Sequence, residues 1–189
     1  MNRSTVLYDA CVLYPAPLRS LLMYLAMTNL YRARWSNAIH EEWMRNVQKD
    51  YPGFTRQKAE NIRDLMNSHV NDCVVVGFEE LIPSLSLPDP DDRHVLAAGI
   101  YCGDEIILTF NLKDFPGEAL KPFGIEVQHP DDFLTRLLEN FPEGVCSAAK
   151  KHRQSLKNPP LEIEAYLASL KRQGLVQSVA ILKDHFNLL

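Results

Sequence analysis

Five short strand-like runs constrain this chain more than any other feature. They are Thr5–Tyr8, Arg34–Trp35, Cys73–Val76, Glu105–Thr109 and Ile125–Val127. Between them lie stretches with helical spacing of apolar residues, and strands separated by helices predict a parallel sheet covered on both faces. Pro15-Ala16-Pro17 opens the first helix, in which Leu18, Leu21, Leu22, Leu25 and Ala26 recur at helical intervals. Ser36 or Asn37 caps a helix from Ala38 to Lys49, Pro52-Gly53 ends it, and Thr55–Val70 forms another. The stretch from Leu81 to Pro90 reads as a loop, Asp91–Cys102 as a helix, Asn111–Pro116 as a loop and Pro130–Asn140 as a helix. Beyond Phe141-Pro142 the strands stop. Residues 143–157, 161–173 and 175–187 are expected to be helical, punctuated by Pro159-Pro160 and Gly174. The expectation is an α/β domain over residues 1–141 and a helical C-terminal appendage over residues 142–189.

Composition narrows the setting. The chain has 189 residues, 46% hydrophobic and 23% charged, which suits an ordinary globular protein and argues against disorder. No apolar run approaches the ~18 residues of a membrane span, and the N-terminal stretch lacks a signal-peptide core. A cytoplasmic protein without membrane contact is expected. Cys11, Cys73, Cys102 and Cys146 lie far apart with no C-x-x-C, and read as reduced, mostly buried residues. The net charge is -4, but unevenly spread: residues 146–189 hold seven Lys or Arg against three acids, leaving 13 basic and 21 acidic groups elsewhere. A basic segment on an acidic body suits a polyanionic substrate. Lys150, Lys151 and Arg153 are its expected grip on a phosphate backbone. The competing reading makes Leu167, Leu170, Leu175, Val179 and Leu182 a protein-docking element.

In an open parallel sheet, function gathers at the carboxyl ends of the strands. Asp9 closes the first strand, Asp92 begins the helix after Pro90, and Asp114 follows the strand ending at Thr109. Each alone could be a turn former; three converging on one edge are harder to explain that way. Asp92 shares a face with Leu96 and Gly99, beside Ala97 and Ala98, so the small-residue face turned to the sheet should carry Asp92 inward, leaving Asp89 or Asp91 as the cap. Glu42 flanks the stripe Ile39, Trp43, Val47, whereas Glu41 points closer to the solvated side. Several carboxylates with no partnered histidine favour a hard divalent cation, Mg²⁺ or Mn²⁺, and metal-assisted phosphodiester hydrolysis over acid–base work by a dyad. The six histidines show no metal-ligand spacing and read as surface or packing residues.

Over roughly residues 5–140 these segments resemble the PIN-domain nucleases, in particular the VapC-like toxins of bacterial toxin–antitoxin pairs. Val6-Leu7-Tyr8-Asp9-Ala10-Cys11-Val12-Leu13 is similar to the family's opening strand and Asp, with Cys11 where Asn is usual. Ser36 followed six residues later by Glu42, then Asp89-Pro90-Asp91-Asp92-Arg93-His94, then Thr109-Phe110-Asn111-Leu112-Lys113-Asp114-Phe115, are similar to its later motifs. The resemblance implies a PIN-like fold and an Mg²⁺- or Mn²⁺-dependent endoribonuclease. It implies that Asp9, Glu42, Asp92 and Asp114 hold the metal, with Thr109 and Asn111 in polar support. RNA is then the substrate, and a cognate antitoxin and a second copy of the chain are the implied partners. The segments Ser155–Leu161, Tyr166-Leu167 and Leu170–Leu175 are similar to the C-terminal extension of one toxin-like PIN branch.

Other readings fit less well. A haloacid-dehalogenase-type phosphotransferase needs an Asp two residues after the first, where Cys11 stands. A phosphoacceptor receiver domain has Lys113 available but lacks its acidic pair, and Asp9-Ala-Cys-Val-Leu-Tyr-Pro has no glycine for a dinucleotide-binding turn. The non-enzymatic rival is a PIN-like binding or scaffold module.

Overall fold

The computed structural model describes residues 3–189. Its contacts divide the chain into two compact units, neither continuous in sequence: one runs up to Tyr14 and resumes over Tyr31–Gln128, the other joins Pro15–Leu30 to His129–Leu189. The first unit holds all five strands, β1 (Thr5–Tyr8), β2 (Arg32–Ser36), β3 (Val74–Val75), β4 (Ile106–Leu108) and β5 (Glu126–Gln128). They form one sheet in the order β3-β2-β1-β4-β5, and every pairing is parallel. Its helices are α1 (Ala10–Leu13), α3 (Asn37–Asp50), α4 (Arg56–His69), α5 (Arg93–Cys102) and α6 (Gly117–Leu120). The second unit is helical: α2 (Ala16–Ala26), α7 (Pro130–Asn140), α8 (Pro142–Ser155), α9 (Ile163–Arg172) and α10 (Val176–Asp184). The expected α/β class with a parallel sheet and C-terminal helices is the architecture observed.

β1 is the central strand, and all four of its residues are buried. A strand covered on both faces reads as a continuous apolar run rather than an alternation, as Val6-Leu7-Tyr8 does. Ser36 ends β2 and caps α3, its Oγ accepting the Ile39 N–H at 3.2 Å. The buried stripe of α3 is Ile39, His40, Trp43, Met44 and Val47. His40 belongs there because its ring is fully satisfied. Trp43 Nε1 can only donate, and does so to His40 Nδ1 at 2.9 Å, so the other nitrogen carries the proton and donates to Asn67 Oδ1 at 3.0 Å. Trp35 Nε1 donates to the same Asn67 oxygen at 2.7 Å, which ties β2, α3 and α4 together.

The helix expected from Asp91 starts differently. Asp89 accepts the Asp91 N–H at 2.9 Å, Pro90–Asp92 form a 3-10 turn, and α5 proper begins at Arg93. Val95–Gly99 are buried, and a Cβ on Gly99 would sit 3.4 Å from Ile125 Cδ1, so the small face does pack on the sheet side. Gly103, at φ +64, ends α5 in the left-handed region that favours glycine. Part of the loop expected over residues 81–90 is ordered as a 3-10 helix, Glu79–Ser84, and another 3-10 turn, Leu112–Asp114, follows β4. These short elements, like α1 and α6, do not run long enough to display periodicity in the sequence.

In the second unit, α2 packs against α8 through a face whose buried residues include Leu18, Leu21, Leu22 and Leu25. Asp131 of α7 caps α10 from outside: its carboxylate accepts the Gln177 and Ser178 N–H groups, both at 2.8 Å, and the Ser178 hydroxyl at 2.6 Å. His152 of α8 and Tyr166 of α9 are both buried and hydrogen-bonded at 3.0 Å. Among the described residues no helix is long and apolar enough to cross a membrane.

Candidate active site

Parallel strands present all their carboxyl ends on one edge, and the direction of chain progress reverses between β1 and its neighbour β4. Such a switch point leaves a crevice where side chains at the strand ends are uncovered by a crossing connection. Asp9 follows β1, and its N–H donates to Leu108 O at 3.1 Å across that boundary. Asp9 is only 2% exposed, yet its carboxylate is heavily engaged. Thr109 Oγ1 donates to Oδ2 at 2.6 Å, Cys11 Sγ donates to the same oxygen at 3.0 Å, and the Ala10 N–H donates to Oδ1 at 2.6 Å. Burial nevertheless raises the Asp9 pKa, and the Glu42 charge adds to the rise against the three hydrogen bonds. Cys11 departs from the resembled pattern but still supplies a donor, because burial and the Asp9 charge hold its thiol protonated.

The loop after β4 wraps the same point: the Phe110 N–H donates to Cys11 Sγ at 3.2 Å, and the Asn111 N–H to Thr109 Oγ1 at 3.0 Å. Asn111 thus touches this network through its backbone while its side chain is exposed. Asp92 is half-buried at the start of α5, and Asp114 is half-buried in the 3-10 turn after β4. The Asp92 carboxyl is pushed up to about 7, first by burial and then by the charges of Asp9, Asp89, Asp114 and Glu42. The four expected acids therefore share one electrostatic neighbourhood.

Glu41 and Glu42 separate as helical phase suggests. Glu41 is exposed and paired in two bonds with Arg56, at 2.6 and 2.8 Å. Glu42 is half-buried, and its Oε2 lies 3.2 Å from His94 Nε2. His94 is the residue that sequence reasoning missed, since it reads there as a surface or packing histidine. No motif spacing could reveal it, because its contact joins residues 52 positions apart. His40 and His152 do fit the packing role, and burial lowers both to about 4.

Oxygen donors alone suit a hard divalent cation, and positive charge would offset the repulsion that raises the pKa of Asp92. By donor chemistry these residues fit Mg²⁺ or Mn²⁺. Among the described residues, no three His, Cys, Asp or Glu side chains are gathered closely enough to hold an ion by themselves. Mg²⁺ does not require such a cage, as one or two carboxylates with water complete its shell.

Two comparisons with known proteins gave matches. Residues 130–184 match the family model of the VapC50 C-terminal domain, a segment lying wholly within the second unit. A protein of Mycobacterium tuberculosis described as "Putative ribonuclease VapC50" is 37% identical over 97 residues, which cover 51% of this chain and 57% of that protein. Over these stretches the chain is similar to VapC50. It spans little more than half the length of that relative, and no solved structure matches it.

Elsewhere in the chain, the basic residues of α8 differ in their surroundings. Lys151 is exposed and Lys150 half-buried. Arg153 is engaged within its own unit, donating to Leu161 O at 3.1 Å and to the terminal Leu189 O at 3.2 Å. A cavity of about 370 Å³ adjoins β5, lined by Leu120, Lys121, Ile125 and Val127 among others, and holds none of the four acids.

Proposed function

We propose that this chain is a divalent-metal-dependent endoribonuclease acting as the toxin of a toxin–antitoxin pair. The observation that carries the reading is the buried Asp9 carboxylate at the β1–β4 switch point, whose charge and those of Glu42 and Asp114 all act on Asp92. Thr109, Cys11 and the Ala10 N–H hold Asp9 in one orientation, so it meets a cation without reorganising. Asp92, Glu42 and Asp114 supply the further oxygens. A bound Mg²⁺ or Mn²⁺ would provide Lewis acidity at the scissile phosphodiester. The ribonuclease named in the relative's description supports RNA as the substrate, and its VapC name supports an antitoxin as partner. Lys150 and Lys151 are the proposed phosphate contacts, and a second copy of the chain is a further proposed partner.

The deciding experiment incubates the purified chain with single-stranded RNA in Mg²⁺, in Mn²⁺ and in EDTA. Cleavage should occur with either metal, stop in EDTA, and fall below detection in Asp9→Asn and Asp92→Asn. Undiminished cleavage by Asp9→Asn in Mg²⁺ would sink the reading. The second reading, a PIN-like binding or scaffold module, draws on the looseness of the acid set. It gains if the chain binds RNA and leaves it whole in both metals.

A further inference from the structure

Asp9 is held by three donors, but Glu42 reaches the same neighbourhood on a longer side chain with more rotatable bonds. Its charge acts on both Asp9 and Asp92, so its carboxylate lies within electrostatic reach of both. Among the described residues, that carboxylate hydrogen-bonds with His94, whose Nε2 lies 3.2 Å from Oε2. The two groups come from different helices, α3 and α5, and the side chains retain 28% and 18% exposure, so the contact is shielded but not sealed from solvent. The other ring nitrogen, Nδ1, is buried with no hydrogen-bond partner among the described residues. Among the described residues, the contact with Glu42 is therefore the hydrogen bond that orients the ring.

We infer that His94 is a positioning residue for Glu42: its Nε2–H donates to Oε2, fixes the carboxylate beside Asp9 and Asp92, and leaves Oε1 to meet a divalent cation. The inference rests on the proposed cation site and adds to it a residue outside the carboxylate set. Partners of this kind restrict a ligand to the orientation it needs when bound, and their loss weakens metal binding without removing a ligand.

The test uses Mn²⁺ alone, titrated calorimetrically into the full chain without RNA, for wild type, His94→Ala, His94→Gln, His94→Asn, Glu42→Gln and the double variant Glu42→Gln/His94→Ala. His94→Ala should weaken Mn²⁺ binding by roughly tenfold or more. His94→Gln, whose amide N–H can reach the position of Nε2, should restore most of the affinity, while the shorter His94→Asn should not. In the Glu42→Gln background His94→Ala should add nothing, since the two residues then act as one unit. Wild-type affinity in His94→Ala overturns the inference. So does an equal loss with and without Glu42, which would make His94 act on the ion directly. If His94→Ala does not fold, the comparison of His94→Gln with His94→Asn decides alone, and equal affinities overturn the inference. Absence of Mn²⁺ binding by the wild-type chain would instead sink the cation-site reading itself, and this inference with it.

Discussion

Asp92 is the residue whose surroundings make the sharpest demand on the folded state. Burial and neighbouring acids raise its carboxyl to about 7, above its ordinary 3.8, so between those values the folded chain holds a proton that the unfolded chain releases. Metal-free stability should therefore fall as pH rises from about 4 to about 7, and Asp92→Asn should flatten that fall without lowering the melting temperature at neutral pH. Asp104, buried 3.6 Å from Arg34 and also raised to about 7 by burial, will leave a residual slope of the same sign. Thermal melts across pH, with EDTA present, check both statements. A steeper slope in Asp92→Asn would contradict the electrostatic account. The phase of α3 already favoured Glu42 over Glu41 in the sequence, and strand ends drew attention to Asp9 and Asp114. What the sequence could not reveal was how these residues are held. The Thr109 bond to Asp9 and the His94 contact to Glu42 join residues 100 and 52 positions apart, which only the meeting of separate elements brings together. The three basic residues of α8 likewise looked equivalent in the sequence. Because Arg153 clamps two backbone carbonyls, Arg153→Gln should lower the melting temperature, whereas neutralising Lys150 and Lys151 should spare it. If those lysines contact phosphate, that double variant should also weaken RNA binding and reduce its salt dependence.

At the level of elements, long periodic segments were legible and single turns were not. α3, α4 and α7 follow the predicted intervals to within a residue or two, because an amphipathic face and a capping Ser36 or Thr55 are local signals. The 3-10 turns at Pro90–Asp92 and Leu112–Asp114 carry two of the four acids, and neither announces itself, since one turn is set by tertiary fit. The caps offer a clean measurement. Removing the Ser36 hydroxyl by Ser36→Ala should cost about 1 kcal/mol, by leaving the Ile39 N–H unpaired at the start of α3. Because α3 also carries Glu42, the same variant should weaken Mn²⁺ binding more than Thr55→Ala, whose capped helix carries none of the four acids. Equal metal affinities in the two variants would show that α3 holds Glu42 without help from its cap.

For the molecule as a whole, the buried histidines oppose the raised carboxyls. His40 and His152 are lowered to about 4 by burial, so below about 6.5 the unfolded chain takes up protons that the folded chain refuses. Their contribution to stability is lost as pH falls from about 6.5 towards 4, the reverse of the Asp92 effect, and His152→Gln should lessen acid sensitivity wherever it still folds. The division into two discontinuous units has a consequence for biosynthesis. α2 leaves the ribosome early, but its packing partner α8 follows more than a hundred residues later. Through most of translation the face bearing Leu18, Leu21, Leu22 and Leu25 has no α8 to cover it. Stopping the chain after Gln128 would make that interim condition permanent, so a shortened product should aggregate or attract chaperones even though every strand is present. Replacing those four leucines with polar residues should improve the recovery of the shortened product and damage the full-length chain, a reciprocal outcome that solubility assays can read.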